Sequence, residues 1–304
     1  MLSKIVLNVK IGQHSCGVEA NAIKRYRRFD AEFKRLHQLF LNIIKRNFGM
    51  EERGMEERIK TEIEELIPRI KAFEGQTFDP KEVVQLAILN FVSSLAFGNR
   101  GRQDDPELKH LRSIIRNAAG NDPVTVHYCP ILRFMPYYRN LIKVAKLFWN
   151  QESQFIMEKV KEIVDFGASE KSFVGDFVKS EGPDYDKADL IEATRNLLNA
   201  GTETTSETVL NSLILFANHP ELQRRVQDEI DSVVPLERLP SISDMVNLPL
   251  TEATMLEVMR FKTLVPLSVP RRTLSDTEIY GFHIPKGTVV NECYSEICSF
   301  YVFH

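Results

Sequence analysis

The sequence predicts a mainly helical protein with a small β-sheet near its end, and two observations support this. Between Ile23 and Phe261, apolar residues recur at three- and four-residue steps in long segments bounded by proline and glycine. After Pro266 the period changes to short segments typical of strands. The chain has 304 residues, of which 43% are hydrophobic, enough to bury a substantial core in one large domain.

Charge and cysteine content exclude some classes of protein. The net charge of −3, from 39 basic and 42 acidic residues, gives no reason to expect a nucleic-acid partner. The four cysteines contain no C-x-x-C pair, so they indicate neither a zinc site nor a disulfide framework, and a reducing compartment is expected. Residues 1–10 contain no apolar run of signal or membrane length, so we expect the chain as written to be soluble or peripheral.

The helical pattern divides the chain into segments. It runs first from Ile23 to about Phe73, with a break or kink near Pro68, and places apolar side chains on one face (Phe29, Phe33, Leu36 and Phe40). Glu51 to Leu66 is dense in charges and predicts a surface helix. Asp79-Pro80 opens the next helix, which stops at Gly98.

Pro123 to Pro136 interrupts the pattern and predicts an apolar loop. The later helices are predicted at Tyr137–Phe166, Lys187–Asn218, Pro220–Val233 and Pro249–Phe261. The second of these would span about 45–50 Å, enough to cross the whole domain. Short strands are predicted at Leu267–Val269, Thr277–Tyr280 and Phe282–Ile284, the last two joined near Gly281.

The first candidate site is the segment AGTETT, Ala200–Thr205, in the middle of the longest helix. One glycine and three threonines weaken a helix interior, and threonine hydroxyls can bond to carbonyls one turn earlier. An acid beside a hydroxyl at a local distortion is what proton delivery to a buried oxidant needs. The alternative is a packing glycine with solvent-facing threonines, and the segment alone does not decide between the two.

Two further candidates are common patterns when taken singly. Glu257 and Arg260, at i,i+3 on a helix, form in most proteins an ordinary surface ion pair. The basic run Lys24, Arg27 and Arg28 predicts either a cationic turn that meets an anion or a solvated basic face.

The order and spacing of these segments resemble those of one family. The chain contains, in order, AGTETT from Ala200, HPELQ from His219, LPLTEATMLEVMRF from Leu248, VPLSVPRRT from Val265 and GFHIPKGT from Gly281. This series is similar to that of the cytochrome P-450 enzymes, which are haem-thiolate monooxygenases, and in particular to the animal microsomal enzymes of drug and fatty-acid metabolism. The resemblance covers about Ile23 to Val290, and the combined motifs are highly specific.

The resemblance implies roles for several residues. Glu203 and Thr204 match the acid–alcohol pair that passes protons to dioxygen at the haem, and Ala200 and Gly201 match the positions where oxygen and substrate sit. By the same resemblance, Arg27 and Arg271 match residues that bind the haem propionates, and an arginine fits this role because a buried carboxylate needs a cation.

Behind the haem, Glu257 and Arg260 match a buried structural ion pair, which the family completes with a third arginine. Leu264, Val265 and Val269 match substrate-contacting walls, as does the loop from Pro123 to Pro136.

The resemblance ends after Val290. The family's loop F-x-x-G-x-R-x-C-x-G, whose cysteine thiolate is the axial iron ligand, does not occur in this chain. Cys293 and Cys298 lack its flanking residues, so no metal ligand is expected. The expected fold is an incomplete cytochrome P-450 fold, with a weakly matching leader at 1–22, a partial domain at 23–290 and a divergent tail at 291–304.

The function implied is insertion of one oxygen atom from O2 into an apolar organic substrate of the fatty-acid, steroid or xenobiotic type. Haem is the implied cofactor, and the electrons come from NADPH through NADPH–cytochrome P-450 reductase. The implied location is the cytosolic face of the endoplasmic reticulum membrane, although membrane association is expected only for a full-length form, because this chain shows no anchor. The alternative for the literal chain is an inactive helical fragment or binding module that cannot hold haem as a thiolate complex.

Overall fold

The computed structural model of the protein describes residues 11–13, 31–48, 53–99, 101–102, 104–121, 125–126, 129–167, 171–266, 268 and 271–291. Its α-helices are α1 (Ala31–Phe48), α2 (Arg53–Lys71), α3 (Pro80–Phe97), α4 (Pro106–Gly120), α5 (Pro136–Phe166), α6 (Phe173–Glu181), α7 (Lys187–Asn218), α8 (Pro220–Val233) and α9 (Pro249–Phe261). Two 3₁₀ helices lie at Pro130–Phe134 and Ile242–Asn247. The prediction of a mainly helical protein is confirmed.

The long helix α7 is the central element of the fold. Its 32 residues span about 48 Å, and its most extensive packing is against α3. The core forms where α3, α5, α6 and α7 meet, around fully buried side chains such as Leu89, Ile156, Phe173 and Leu198. Helices from distant parts of the chain therefore pack against α7 around this core.

Local capping explains why α3 has the bounds that the sequence predicts. The side chain of Asp79 accepts a hydrogen bond from the Lys81 amide at 2.9 Å, and Pro80 takes the first helical position. At the other end Gly98 adopts a left-handed conformation with φ of 76°, and its amide bonds to the Ser94 carbonyl. These end signals need no tertiary contact, which is why sequence inspection finds them.

The helical pattern predicted from Ile23 to Phe73 is found in the described part of this region. Two helices, α1 and α2, occupy this region within the described residues, and residues 49–52 between them lie outside the description. Pro68 lies inside α2, one turn before the helix ends. The predicted surface helix also has a buried side, because Glu62 is buried and accepts hydrogen bonds from the side chain of Asn90.

Short antiparallel strands follow the helices. Strand β2 (Arg271–Thr273) pairs with β1 (Ile11–Gln13) on one side and with β5 (Val289–Val290) on the other. Strands β3 (Thr277–Ile279) and β4 (Phe282–Ile284) form the predicted hairpin. Tyr280 and Gly281 both have positive φ, 51° and 83°, as a two-residue turn of type I′ requires.

Of the strand predicted at Leu267–Val269, the structure describes only Ser268. Ser268 has a positive φ of 53° and belongs to no strand, and its two neighbours lie outside the described residues. This left-handed backbone does not fit a β-ladder, and the next strand that the structure describes is β2, from Arg271.

Candidate functional site

The candidate site is built on one exposed stripe of α7. Ala200 and Thr204 are four residues apart and both are exposed, so they lie one above the other on the same face. The Thr204 hydroxyl donates a hydrogen bond of 2.7 Å to the Ala200 carbonyl. Glu203, which directly precedes Thr204 in the helix, is half-buried. The structure therefore brings together three of the residues that the AGTETT segment singled out.

Hydroxyls along α7 bond back to carbonyls one turn earlier, as its composition predicts. Besides Thr204, the donors are Thr194 to Leu190, Ser206 to Thr202, Thr208 to Thr204 and Ser212 to Thr208. The helix is nevertheless unbroken from Lys187 to Asn218, so the local bulge considered for this segment is not present. These back-bonded hydroxyls leave the helix continuous, whereas the buried hydroxyl of Thr202 has no hydrogen-bond partner among the described residues.

Gly201 lies on a different face of α7 from Ala200 and Thr204. A Cβ atom at this position would lie 3.2 Å from Cγ2 and 3.3 Å from Cγ1 of Val92 on α3. The absence of a side chain therefore allows α7 and α3 to approach closely. The structure supports the packing interpretation that the sequence left open, and a role of Gly201 at the cofactor remains a prediction.

The Glu257–Arg260 pair forms on α9, but it is not buried. The Nε atom of Arg260 lies 2.7 Å from Oε2 of Glu257, and this hydrogen bond holds the pKa of the Glu257 carboxyl below its ordinary value. The Glu257 side chain is 53% exposed. Among the described residues the carboxylate of Glu257 is therefore half in water, and a buried role for this pair in a longer protein remains a prediction.

Three of the remaining predicted site residues, Leu264, Val265 and Arg271, are described by the structure and lie after α9. Arg271 is half-buried on β2, opposite Val290 on β5. Leu264 and Val265 follow α9 and are both exposed. Arg27 and Val269 lie outside the described residues.

The loop predicted to be apolar contains an exposed cluster, here called the 131–137 patch. Its members are Ile131, Phe134, Met135 and Tyr137, and Phe134 is 74% exposed. Part of the loop, residues 123–124 and 127–128, lies outside the description. Among the described residues, no helix combines the length and the apolar character that crossing a bilayer requires.

Sequence inspection missed a buried charge cluster between α5 and α7. Arg195 donates from Nε to Oε2 of Glu152 at 3.1 Å, and it also bonds to Glu192 and to the hydroxyl of Ser153. Burial raises the pKa of Glu152 to about 7, against the opposing effect of Arg195, and nearby Glu192 raises it further. The sequence does contain an indication of this cluster. Glu152 is a charged residue on the apolar face of α5, one turn before Ile156.

The exposed stripe of α7 fits one face of a flat cofactor such as haem. Ala200 and Thr204 have small side chains, so a planar ring can approach the helix closely, and the Thr204 oxygen lies at the same surface. The axial ligand is not assigned, because Cys129 is the one cysteine inside the described ranges and it lies on the exposed segment before Pro130. Within those ranges there is no group of three or more His, Cys, Asp or Glu side chains able to hold a metal ion.

Comparison with known proteins places this arrangement in context. The chain is 32% identical to cytochrome P-450 2D15 of Canis lupus familiaris over 262 residues, and 34% identical to cytochrome P-450 2F3 of Capra hircus over 277 residues. These matches cover 81% and 85% of this chain but 51% and 55% of the relatives, so the chain spans about half the length of the curated relatives it matches.

A solved structure shows the same fold. A zebra fish cytochrome P-450, solved with progesterone, superposes with a TM-score of 0.77 at 24% identity, covering 92% of this chain and 66% of that one. The family model for cytochrome P-450 matches residues 27–297. With the motifs, the α7 stripe and these matches in agreement, the chain belongs to the cytochrome P-450 family.

Proposed function

We propose that the protein carrying this chain is a monooxygenase that inserts one oxygen atom from O2 into an apolar organic substrate. The observation that supports this is the exposed stripe of α7, where Thr204 presents a hydroxyl beside the small side chain of Ala200. Bound haem would supply the redox chemistry that activates dioxygen. Ala200 and Thr204 would lie against the ring, and Arg271 would bind a propionate.

The Thr204 hydroxyl is placed to hold and move a proton. It donates its own hydrogen to the Ala200 carbonyl, so its oxygen lone pairs remain able to accept a hydrogen bond from the side of the site. When the hydroxyl hydrogen turns from the carbonyl towards the site it can be given up there, and the oxygen takes up another proton on a lone pair, so that the hydroxyl is restored. Glu203, adjacent and half-buried, is the acid that can resupply the proton from solvent.

We propose the substrate class and the partners from the resemblance to the family. Apolar substrates of the fatty-acid, steroid or xenobiotic type suit walls formed by Leu264 and Val265, both of which present apolar surface. Electrons would come from NADPH through NADPH–cytochrome P-450 reductase. The resemblance to animal microsomal enzymes supports a place at the endoplasmic reticulum membrane, where the 131–137 patch could contact lipid.

The experiment replaces Thr204 in a full-length protein that contains this segment. Thr204→Ala is expected to raise the peroxide released per NADPH consumed, because the hydroxyl that directs the second proton is lost. Thr208→Ala is the matched control: its hydroxyl makes the same kind of bond one turn later, to the Thr204 carbonyl at 2.9 Å. Equal peroxide yields from the two variants would contradict the role of Thr204.

A second candidate concerns the 304 residues taken alone. None of the four cysteines has the flanking residues of the family's ligand loop, which favours a helical module that does not hold haem through a thiolate. We expect this chain, expressed with haemin, to lack the reduced carbon-monoxide Soret band of a haem-thiolate protein. A clear band of that type would show that one of its cysteines ligates iron.

A further inference from the structure

A cavity of about 230 Å³ lies away from the α7 stripe, between α3, α4 and α5. Its floor is formed by Asn90 and Ser93 of α3, which share a helix face at i,i+3. Apolar side chains from all three helices form much of its lining (Phe97, Leu108, Leu111 and Phe155). The polar side chains of Asn99, Asp105, Glu107 and Lys159 also line it. Neither the proposed catalytic residues nor the charge cluster around Arg195 line it.

The side-chain amide of Asn90 has a fixed orientation. Its Nδ2 donates to both carboxylate oxygens of Glu62, at 2.9 and 3.1 Å, and to the Gly101 carbonyl at 2.8 Å. All three partners are acceptors, so a flipped amide would place oxygen against oxygen. The Oδ1 atom must therefore point the other way, where it has no hydrogen-bond partner among the described residues.

Ser93 presents a second polar atom of this kind. The residue is only 8% exposed, and its Oγ also lacks a hydrogen-bond partner within the described part of the chain. The neighbouring Ser94 differs, since its hydroxyl donates to the Phe91 carbonyl at 2.7 Å. Buried polar atoms are rarely left unsatisfied in native proteins, so two of them on the floor of one cavity indicate that something else bonds to them.

The two oxygens specify the chemistry of that occupant. The Asn90 Oδ1 atom can only accept, whereas the Ser93 hydroxyl can donate or accept. An alcohol hydroxyl, which donates once and accepts, satisfies both. A cation is less suitable, because both carboxylates that line the cavity already have partners. Glu107 pairs with Lys159 at 2.8 Å, and Asp105 accepts a hydrogen bond from the Glu107 amide at 2.9 Å.

The size and the walls restrict the occupant further. Pockets for drug-sized molecules range from about 300 to 1,000 Å³, so this cavity suits a molecule with a single ring. Four apolar side chains around it favour a hydrocarbon body over a cluster of waters. We propose that the cavity between α3, α4 and α5 is a second small-molecule site that binds a neutral single-ring alcohol of about the size of phenol.

The test titrates the 304-residue chain with phenol, followed by saturation-transfer NMR, and compares toluene, which has nearly the same shape but no hydroxyl. Phenol is expected to bind at least about tenfold more tightly than toluene. Ser93→Ala is expected to weaken phenol binding about tenfold, the value of one hydrogen bond. Ser94→Ala, the matched control, is expected to leave the affinity unchanged.

Leu111→Trp would fill the cavity and is expected to abolish phenol binding while the helical circular dichroism is retained. Should that variant not fold, the comparison of Ser93→Ala with Ser94→Ala decides the question by itself. Three results would overturn the proposal: no binding of phenol, equal binding of phenol and toluene, or equal affinity in the Ser93→Ala variant and the parent. None of these readouts depends on haem or on monooxygenase activity.

Discussion

Arg195 on α7 lies between two buried carboxylates, and its Nε atom is 3.1 Å from Oε2 of Glu152 on α5. Glu152 has no solvent exposure, and its other oxygen, Oε1, has no hydrogen-bond partner among the described residues. Glu192 is the second carboxylate, one turn before Arg195 on the same helix. This single cation therefore joins α5 to the segment of α7 that leads into the candidate site.

Removing the cation should be costly. Arg195→Met is expected to lower the free energy of unfolding by about 3–5 kcal/mol at pH 8, because it leaves two buried carboxylates without their partner. The control is Arg224→Met on α8, whose ion pairs with Glu221 and Asp228 are exposed and should contribute less than about 1 kcal/mol. Urea denaturation followed by circular dichroism measures both free energies of unfolding. Similar losses in the two variants would contradict a larger contribution from the buried ion pairs.

The pKa of Glu152 predicts a pH dependence. Burial raises this pKa from 4.5 to about 7 in the folded state, so the folded protein binds the proton more tightly than the unfolded chain. The contribution of Glu152 to stability is therefore fully present below about pH 4.5 and falls as the pH rises to about 7, by at most about 3 kcal/mol.

Glu152→Gln should remove this component, since glutamine does not titrate. From pH 5 to pH 8 the parent is expected to lose stability relative to the variant. The free energy of unfolding of the variant minus that of the parent should therefore increase with pH. Glu162→Gln, on the exposed side of α5, is the control and should show no such trend. Parallel pH profiles for Glu152→Gln and the parent would contradict the raised pKa.

Close packing at Gly201 predicts the effect of adding a methyl group. An alanine there would place its Cβ 3.2 Å from Val92, whose side chain is itself buried. The overpacking, about 1–3 kcal/mol, should outweigh the gain of about 1 kcal/mol in helix propensity, for a net loss of about 1 kcal/mol. Gly120→Ala on α4, where nothing lies within 4 Å of the new Cβ, should instead be neutral or stabilising.

A double-mutant cycle tests the contact directly. Combining Gly201→Ala with Val92→Ala should give a favourable coupling of about 1 kcal/mol, because the second change makes room for the first. Purely additive effects in thermal or urea unfolding would show that the two residues do not meet as described.

The exposed position of Glu257 predicts a small effect in this chain. Glu257→Gln should change the free energy of unfolding by less than about 1 kcal/mol, since the carboxylate is half in water. Because Arg260 lowers the pKa of Glu257, the contribution of the pair is present above about pH 4.5 and is lost as the pH falls through the folded pKa. A loss of several kcal/mol at pH 7 would indicate that the pair is buried after all.

Local signals made most helix bounds predictable. The sequence prediction for α7 agrees with the structure at both ends, because Asp186 caps the first turn through its side chain and Pro220 stops the helix from continuing. Each of these effects acts over a few residues, so it can be recognised without knowing the fold. The hairpin at Tyr280-Gly281 was predictable for the same reason.

Contacts between distant residues were not predictable in this way. Glu152 and Arg195 are 43 residues apart, and the pairing of β1 with β2 joins residues near opposite ends of the chain. The burial of Glu62 against Asn90 likewise depends on how α2 packs on α3. Hydrophobic periodicity shows which face of a helix is buried, but it does not show which element buries it.

For the candidate site, the sequence by itself was enough to identify the family and the central helix. It also singled out Glu203, Thr204, Glu257 and Arg260 as candidate residues. Both were possible because the order of motifs and the residues at helix ends can be recognised without the fold. Tertiary structure alone decided that Thr204 faces outward while Gly201 faces Val92, and that Glu257 is half exposed. The physical reason is that neighbouring positions on a helix point about 100° apart, so their roles depend on where the other helices pack.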